Sequence, residues 1–212
     1  MSLKCGITLI IACALLAGCV TSRVEQNRVA STGIASGEAV VLLGRANYNH
    51  KETDVSFIEC LENQLTAASV RVVNQTKFKD NLYPWFDSRQ APMNVQQLGE
   101  LFARPGIKER ISDSHIRYMA YIEGDTITID KGGSLTCALG GGCFGWVHWE
   151  ENASYAATIW DLQTMTSAGQ ISVDATGTSY VAGLVIPIPV IARPGKAACK
   201  DLASQLTNFI IN

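Results

Sequence analysis

The residues whose types and spacing suit chemistry cluster in one stretch, CALGGGCFGWVHWEE, from Cys137 to Glu151. Five residues separate Cys137 from Cys143, whereas zinc knuckles and thioredoxin-like redox pairs use shorter spacings, about two to four residues. Gly140, Gly142 and Gly145 formally match a dinucleotide-binding fingerprint, but that motif opens a helix, and the following WVHWEE is not helix-like. A surface loop closed by a disulfide is therefore favoured over a metal, redox or nucleotide site.

The loop is followed by aromatic side chains that suit recognition. In a strand, Trp146, His148 and Glu150 share one face, and Trp149 lies on the other. One interpretation is that one of these faces packs into the core, since buried aromatic residues are common. The other is a binding surface, because Trp is prominent among interface hot spots. We predict partner binding by Phe144, Trp146, His148 and Trp149.

Catalytic groups are sparse. Of three histidines, His148 near Glu150 is the one with a carboxylate beside it on a strand face, which would suit proton transfer or metal binding only weakly. His115 precedes a predicted strand and is expected in a turn, and His50 follows the first strand. No nucleophile elbow, zinc-protease motif or phosphate loop is found. Asp161 and Asp174 are expected to face solvent, because opposed like charges destabilise a sheet.

The first residues of the chain predict its cellular location. Lys4, a short apolar run and Leu16-Ala17-Gly18-Cys19 form a secretory signal, and the last four resemble the lipobox of bacterial lipoproteins. The resemblance implies cleavage before Cys19, with a diacylglyceryl thioether and an acylated amine on that cysteine. A general signal peptide cleaved near Ala17 is the alternative. In Gram-negative lipoproteins, an Asp directly after the lipidated cysteine tends to retain the protein at the inner membrane. Val20 occupies that position here, so the resemblance implies sorting to the outer membrane, facing the periplasm.

The predicted location sets the domain boundaries and favours disulfide formation by the cysteines. Residues 1–18 are the predicted signal peptide, 19–36 a lipidated flexible tether, and 37–212 one periplasmic domain. Once the signal peptide with Lys4 is removed, the chain has 16 basic and 19 acidic residues, a net charge of −3. This mild charge predicts no nucleic-acid partner. Because the periplasm is oxidising, the four remaining cysteines are predicted to pair as Cys137–Cys143 and Cys60–Cys199.

The hydrophobic pattern predicts an α/β fold, a mixed sheet flanked by helices. EAVVLLG reads as a buried strand, and TDVSFIECLENQLTAA as a helix capped by Thr53 or Asp54. VRVVN then completes a strand-helix-strand unit. Residues 78–94 are predicted to be irregular, residues 95–114 two short helices, and IRYMAYIEGDTITID a strand. A long hairpin follows at YAATIWDLQT and QISVDATG, then an apolar run broken by Pro187 and Pro189, and a final helix at residues 196–210.

This element order resembles the periplasmic α/β domains of the TolB amino-terminal region, of peptidoglycan-synthase activator lipoproteins and of CsgG. The resemblance is carried by EAVVLLG with its helix, by GIKERISDSHIRYMAYIEG and by the ATIWDLQTMTSAGQISVDATG hairpin. Together with the predicted location and the absence of catalytic motifs, it implies a non-catalytic binding or assembly factor, tethered to the membrane through Cys19, with a protein partner in the cell envelope and no cofactor or metal. The alternatives are a CsgG-like oligomeric channel component, and an envelope hydrolase or ligand-binding protein using His148 and Glu150.

Overall fold

The structure is a computed structural model that describes residues 20–45, 53–86 and 91–211, with only the backbone at positions 184 and 185. Its described part contains six strands and five helices. The strands are β1 (Val20–Arg28), β2 (Ala39–Gly44), β3 (Val72–Val73), β4 (Ile116–Ala138), β5 (Gly142–Asp161) and β6 (Thr166–Val190). The helices are α1 (Val55–Ala67), α2 (Gln75–Asn81), α3 (Val95–Phe102), α4 (Ile107–Asp113) and α5 (Pro194–Ile211). The predicted α/β class is confirmed.

The strands form one mixed sheet in the order β1-β6-β5-β4-β2-β3. β2 is parallel to both β3 and β4, with Val40 opposite Val72 and Leu42 opposite Ala120. β4 and β5 are neighbours joined by only residues 139–141, and β5 and β6 by residues 162–165, so each pair is an antiparallel hairpin. The predicted strand at residues 116–130 and the WVHWEE extension are thus arms of longer strands.

The strand-helix-strand unit forms as its sequence predicts. Asp54 caps α1 by accepting a hydrogen bond from the Ser56 backbone N–H at 2.8 Å. The recurring apolar side chains of the helix are buried, and they include Phe57, Leu61 and Leu65. The two parallel strands therefore flank a helix that packs its apolar stripe on the sheet.

One helix was predicted as irregular chain. α2 lies partly within the region expected to lack regular structure, and its first turn is capped by the Asn74 side chain, which accepts from the N–H groups of Thr76 and Lys77. Phe78 anchors it in the core at 3% exposure. A cap followed by one apolar anchor is too short a pattern for periodicity to detect.

The predicted tether is corrected for residues 20–28, which form β1. The N–H of Val29 donates to the carbonyl of Ala168 at 2.9 Å, just beyond the strand, and the Arg28 guanidinium lies 4.5 Å from the Phe209 ring centroid. An edge strand is held by backbone hydrogen bonds, so a polar sequence does not prevent it from forming. Residues 29–36 carry no helix or strand, and Cys19 and the predicted signal peptide lie outside the described residues.

The chain packs into two compact units. The strand unit contains the described residues up to Arg23, with Thr126–Ala153 and Asp174–Ala197. The helical unit contains the described residues of Val24–Asp125, Ser154–Val173 and Ala198–Asn212. A large hydrophobic core lies in the helical unit, where Val41, Leu43 and Met119 meet helix side chains such as Leu98 and Ile111.

Both predicted disulfides are present. Cys60–Cys199 joins α1 to α5 within the helical unit, with a Cα–Cα distance of 6.4 Å. Cys137–Cys143 joins facing positions of β4 and β5 in the strand unit, at 4.0 Å. The glycine stretch between the second pair is the hairpin turn, so the predicted stapled surface loop is the tip of two paired strands.

Within the described residues, none of the helices combines the length and apolar character needed to cross a membrane.

β6 continues through Pro187 and Pro189, although the prolines were expected to break the run. Both prolines are exposed, and proline is tolerated where the strand has no partner for its missing N–H.

Candidate binding surface on the strand unit

The predicted partner-binding residues divide between the two faces of β5. The Trp146 and His148 rings stack on one face of β5; by strand alternation Phe144 belongs to the same face and Trp149 to the other. Phe144 is 57% exposed and Trp146 54% exposed, so neither is a core side chain. The structure therefore brings Trp146 and His148 into contact, with exposed Phe144 two positions earlier on the same strand, and Trp149, which is half-buried, alternates to the opposite side of the sheet.

Two residues that the sequence analysis did not select complete this face. Asp130 of β4 places Oδ2 3.2 Å from Nε2 of His148, and the Tyr180 ring of β6 lies 6.5 Å from the imidazole. They are far from His148 along the chain, and only the strand register brings them near. We call Phe144, Trp146, His148 and Tyr180 the aromatic surface.

His148 is held by its neighbours on both sides. Its ring stacks on Trp146 with centroids 5.1 Å apart and planes 21° from parallel. Nε2 faces the Asp130 carboxylate, while Nδ1 is buried with no hydrogen-bond partner. Stacking and the carboxylate together fix the ring orientation, and Glu150, the carboxylate that the sequence suggested, has no described contact with it.

Glycines make room for this arrangement. A Cβ at Gly132 would lie 2.7 Å from Cε1 of His148, so the imidazole occupies the space that a side chain would need. At Gly145, φ is +118° and a Cβ would lie 2.2 Å from the Ser134 carbonyl oxygen. The glycines at 132 and 145 thus serve strand packing, which is a different role from the phosphate binding that the fingerprint would require.

This surface presents exposed aromatic rings beside one carboxylate. Among the described residues no group of three or more His, Cys, Asp or Glu side chains is placed to hold a metal ion. The Asp130 carboxylate is 62% exposed, so its pairing with His148 is a solvent-screened contact. Flat aromatic rings that expose about half of their area can bury large apolar contacts at little entropic cost.

The other two histidines lie elsewhere. His115 has φ of +54° between α4 and β4, and its Nδ1 is 3.0 Å from the Asp113 carbonyl oxygen, as expected of a turn residue. His50 lies outside the described residues. Neither is described in contact with the aromatic surface.

Asp161 is not solvent-facing, which corrects the prediction for this residue. It is 7% exposed, with Oδ2 2.7 Å from an Arg117 guanidinium nitrogen. Oδ1 accepts from the N–H groups of Gln163 at 2.8 Å and Thr164 at 3.1 Å. The carboxylate therefore closes the β5–β6 turn, whereas Asp174 is exposed as predicted.

A separate cleft of about 600 Å³ lies in the helical unit. Its lining combines apolar side chains, such as Phe102 and Met165, with Glu38, Lys108 and Arg117. Arg117 is already paired with Asp161 and lies 3.8 Å from Glu38, so the cleft has no clear excess of one charge. Its size is in the range of small-molecule sites, but its lining does not select a ligand class.

Comparisons with known proteins give little further guidance. No protein-family model matches the chain, and no curated protein matches it. The solved structures that resemble it include two from Paraburkholderia phytofirmans. A single-residue variant of PelC, as a dodecamer, is 13% identical with a TM-score of 0.46, covering 91% of this chain and 100% of that one. A PelC dodecamer is 16% identical with a TM-score of 0.40 at the same coverage. At these scores neither likeness supports an argument about function.

Proposed function

We propose that this chain is a lipoprotein anchored in the outer membrane through Cys19. In this proposal it acts in the periplasm as a non-catalytic binding or assembly factor for an envelope complex. The lipobox-like Leu16-Ala17-Gly18-Cys19 supports the anchor. The anchor would confine the protein to the membrane surface and so raise its effective concentration toward membrane-bound partners.

The aromatic surface is the observation that carries the binding role. Phe144, Trp146 and Tyr180 are 57%, 54% and 47% exposed on adjacent strands. Monomeric proteins expose single large apolar residues freely, but a contiguous group of aromatic residues marks an interaction site. Cross-strand packing and the Asp130 contact hold the group in place before binding, which reduces the entropy lost on association.

The experiment is in-cell cross-linking followed by affinity capture of the lipidated protein. Trp146→Ala and Phe144→Ala are expected to lose the same specific cross-linked species, at least about tenfold, because such anchors contribute roughly 2 kcal/mol or more. Ile211→Ala is the matched control, since Ile211 is 50% exposed at the end of α5 in the helical unit.

Two results would contradict the proposal. Retention of every cross-linked species by both aromatic variants would exclude this surface as the binding site. Equal loss in the Ile211→Ala control would show that the effect is not specific to the aromatic surface. Thermal unfolding of each variant establishes that the comparison is between folded proteins.

The hydrolase alternative has its own support in the Asp130–His148 contact at 3.2 Å. An imidazole oriented by a carboxylate is the arrangement of a general base. If that alternative holds, Asp130→Asn and His148→Ala abolish turnover of an envelope substrate such as peptidoglycan. If the binding role holds, neither variant changes any hydrolytic activity.

A further inference from the structure

The end of β6 contains a chain reversal that presents isoleucines to solvent. The backbone N–H of Ala192 donates to Oγ of Ser179 at 3.0 Å, yet the two residues are 13 positions apart in the sequence. An extended chain of that length would span about 40 Å, so the chain folds back between them. We call residues 180–191 the reversal segment.

This segment is apolar and uncharged, and most of its described side chains are exposed. No charged residue lies between Ser179 and Ala192. Ile186 is 71% exposed, Ile188 48% and Ile191 50%, with Tyr180 at 47%. Ile186 and Ile188 alternate along β6 and so share one face, and Ile191 is exposed just beyond the end of the strand. We call these three side chains the apolar ridge; apolar area left in water costs free energy unless something covers it.

The start of the described chain lies beside the end of this segment. A Cβ built at Gly177 would be 2.8 Å from Cβ of Ala192 and 3.1 Å from Cγ2 of Val20. Val20 and Ala192 therefore pack over the same glycine of β6. Cys19 is bonded to Val20, about 3.8 Å away between Cα atoms, and Ile191 is bonded to Ala192. A lipid attached to Cys19 would therefore extend from the protein beside the reversal segment.

The prolines and charges around the ridge distinguish lipid from protein as its cover. Pro187 and Pro189 lack the N–H groups that a partner strand would need, which makes this edge a poor template for strand pairing. The residues that follow the ridge are basic and exposed, Arg193 and Lys196, and no acidic residue occurs between Asp174 and Asp201. Cations beside an apolar ridge match anionic headgroups above an acyl region.

We propose that the reversal segment docks on the phospholipid surface that carries the anchor, with Ile186, Ile188 and Ile191 among the acyl chains and Arg193 and Lys196 at the phosphates. This rests on the proposed function only for the anchor at Cys19. Docking would fix the orientation of the strand unit on the membrane, because the lipid and the ridge together provide two points of attachment.

The test separates docking from anchoring by removing the lipid. The mature chain carrying Cys19→Ser, exported with a non-lipoprotein signal, is floated with vesicles of phosphatidylethanolamine and phosphatidylglycerol. It is expected to bind, and Ile186→Ser with Ile188→Ser to reduce binding by about tenfold or more. Ile127→Ser with Ile129→Ser is the matched control, because these β4 isoleucines are 49% and 50% exposed.

A second variant keeps the test independent of folding defects in the first. Arg193→Gln with Lys196→Gln is expected to weaken binding at low salt and to make little difference at high salt, where charges are screened. Circular dichroism and the Tm of each variant report whether it is folded.

Three outcomes would overturn the proposal. They are no flotation of the lipid-free chain, equal loss in the β4 control, and light scattering that shows a self-associated chain which the isoleucine variant converts to monomers. The last would assign the ridge to a second copy. Mass spectrometry of Cys19 in the native protein tests the anchor separately, so an unmodified cysteine would refute the proposed function and leave the flotation result standing.

Discussion

At the scale of single residues, the aromatic surface depends on a position with no side chain. The His148 imidazole lies over Gly132 while it stacks on Trp146 and faces Asp130. Each contact constrains the same ring, so a change under the ring is felt by both partners. The glycine therefore belongs to the aromatic surface as much as the aromatic residues do.

Gly132→Ala is expected to push the imidazole away from both partners, because its Cβ would lie 2.7 Å from Cε1. We expect a loss of about 1–3 kcal/mol in the free energy of unfolding, as for other overpacked sites, measured by urea denaturation. Gly141→Ala is the control, since its Cβ would meet only Ala138 at an ordinary 3.5 Å. Equal losses in the two variants would show that the space over Gly132 is not what matters.

Asp161 illustrates a second residue effect, a buried carboxylate that satisfies three donors. Asp161→Ala leaves Arg117 without its nearer carboxylate partner and frees two backbone N–H groups, so we expect a loss of about 3–5 kcal/mol in chemical denaturation. Asp161→Asn keeps an oxygen for the N–H groups and is expected to lose less. Asp174→Ala, at an exposed position, is expected to stay within about 0.5 kcal/mol; a similar loss there would contradict the structural role of Asp161.

At the scale of elements, stability is set by helix caps and cross-links. Asp54 caps α1, and the hydrogen bond from the Ser56 backbone N–H lowers the pKa of its carboxyl below the ordinary value of 3.8. A carboxyl whose pKa is lowered by folding stabilises the protein above the unfolded-state pKa and loses that contribution as pH falls through the folded pKa. The cap is therefore a source of acid sensitivity below about pH 4.

Asp54→Ala is expected to reduce the free energy of unfolding at pH 7 by about 1 kcal/mol through loss of the cap. Asp54→Asn retains an acceptor, so it is expected to be milder at pH 7 and to show a smaller further loss between pH 5 and about pH 3 than the wild type. Urea titrations across this range provide the measurement. Glu59→Gln, an exposed change on the same helix, is the control, and a wild-type pH dependence in Asp54→Asn would refute the assignment.

The two disulfides are expected to contribute unequally. They close chain separations of 139 and 6 residues, and the entropy of the unfolded chain falls more for the longer loop. Paired alanine replacement of Cys60 and Cys199 is expected to cost about 5 kcal/mol, against about 2 kcal/mol for Cys137 and Cys143. Thermal and urea unfolding of both double variants decides the order, and a larger cost for the hairpin pair would contradict it.

At the scale of the whole molecule, β1 begins at Val20, the residue directly after the predicted lipidation site Cys19, where a long flexible linker was expected. Fewer free residues shorten the reach of an anchored protein. If Cys19 carries the proposed anchor, it is followed directly by β1, and the folded dimensions of the protein would then set the distance from the membrane at which it could bind a partner.

Intact-mass analysis of the protein purified from membranes is expected to find Cys19 as the first residue, carrying a diacylglyceryl group and an amide-linked acyl chain. Cys19→Ser is expected to leave the precursor unprocessed and absent from the outer-membrane fraction. A mature chain that begins after Ala17 or at another residue, with no lipid, would refute the anchor.

Much of the fold could be predicted from sequence because its signals are local. The β2 run, the apolar stripe of α1 with its Asp54 cap, and the buried stripe of α5 at Ala198, Leu202, Leu206 and Phe209 each depend on residues near in the chain. Cysteine number and the predicted oxidising compartment led to both disulfides. β1 and α2 were missed because an edge strand and a short capped helix need few apolar residues.

Sequence alone determined the class of fold and the disulfide pairs, and it placed Trp146 and His148 on one strand face, since each follows from periodicity or residue type. Only the tertiary structure decided that Asp130 and Tyr180 join His148, that Asp161 is buried by Arg117, and that Val20 meets Ala192 over Gly177. These contacts depend on strand register and chain reversal. The physical reason is that register is fixed by packing of the whole sheet, and a shift of one residue would send every side chain of a strand to the opposite face.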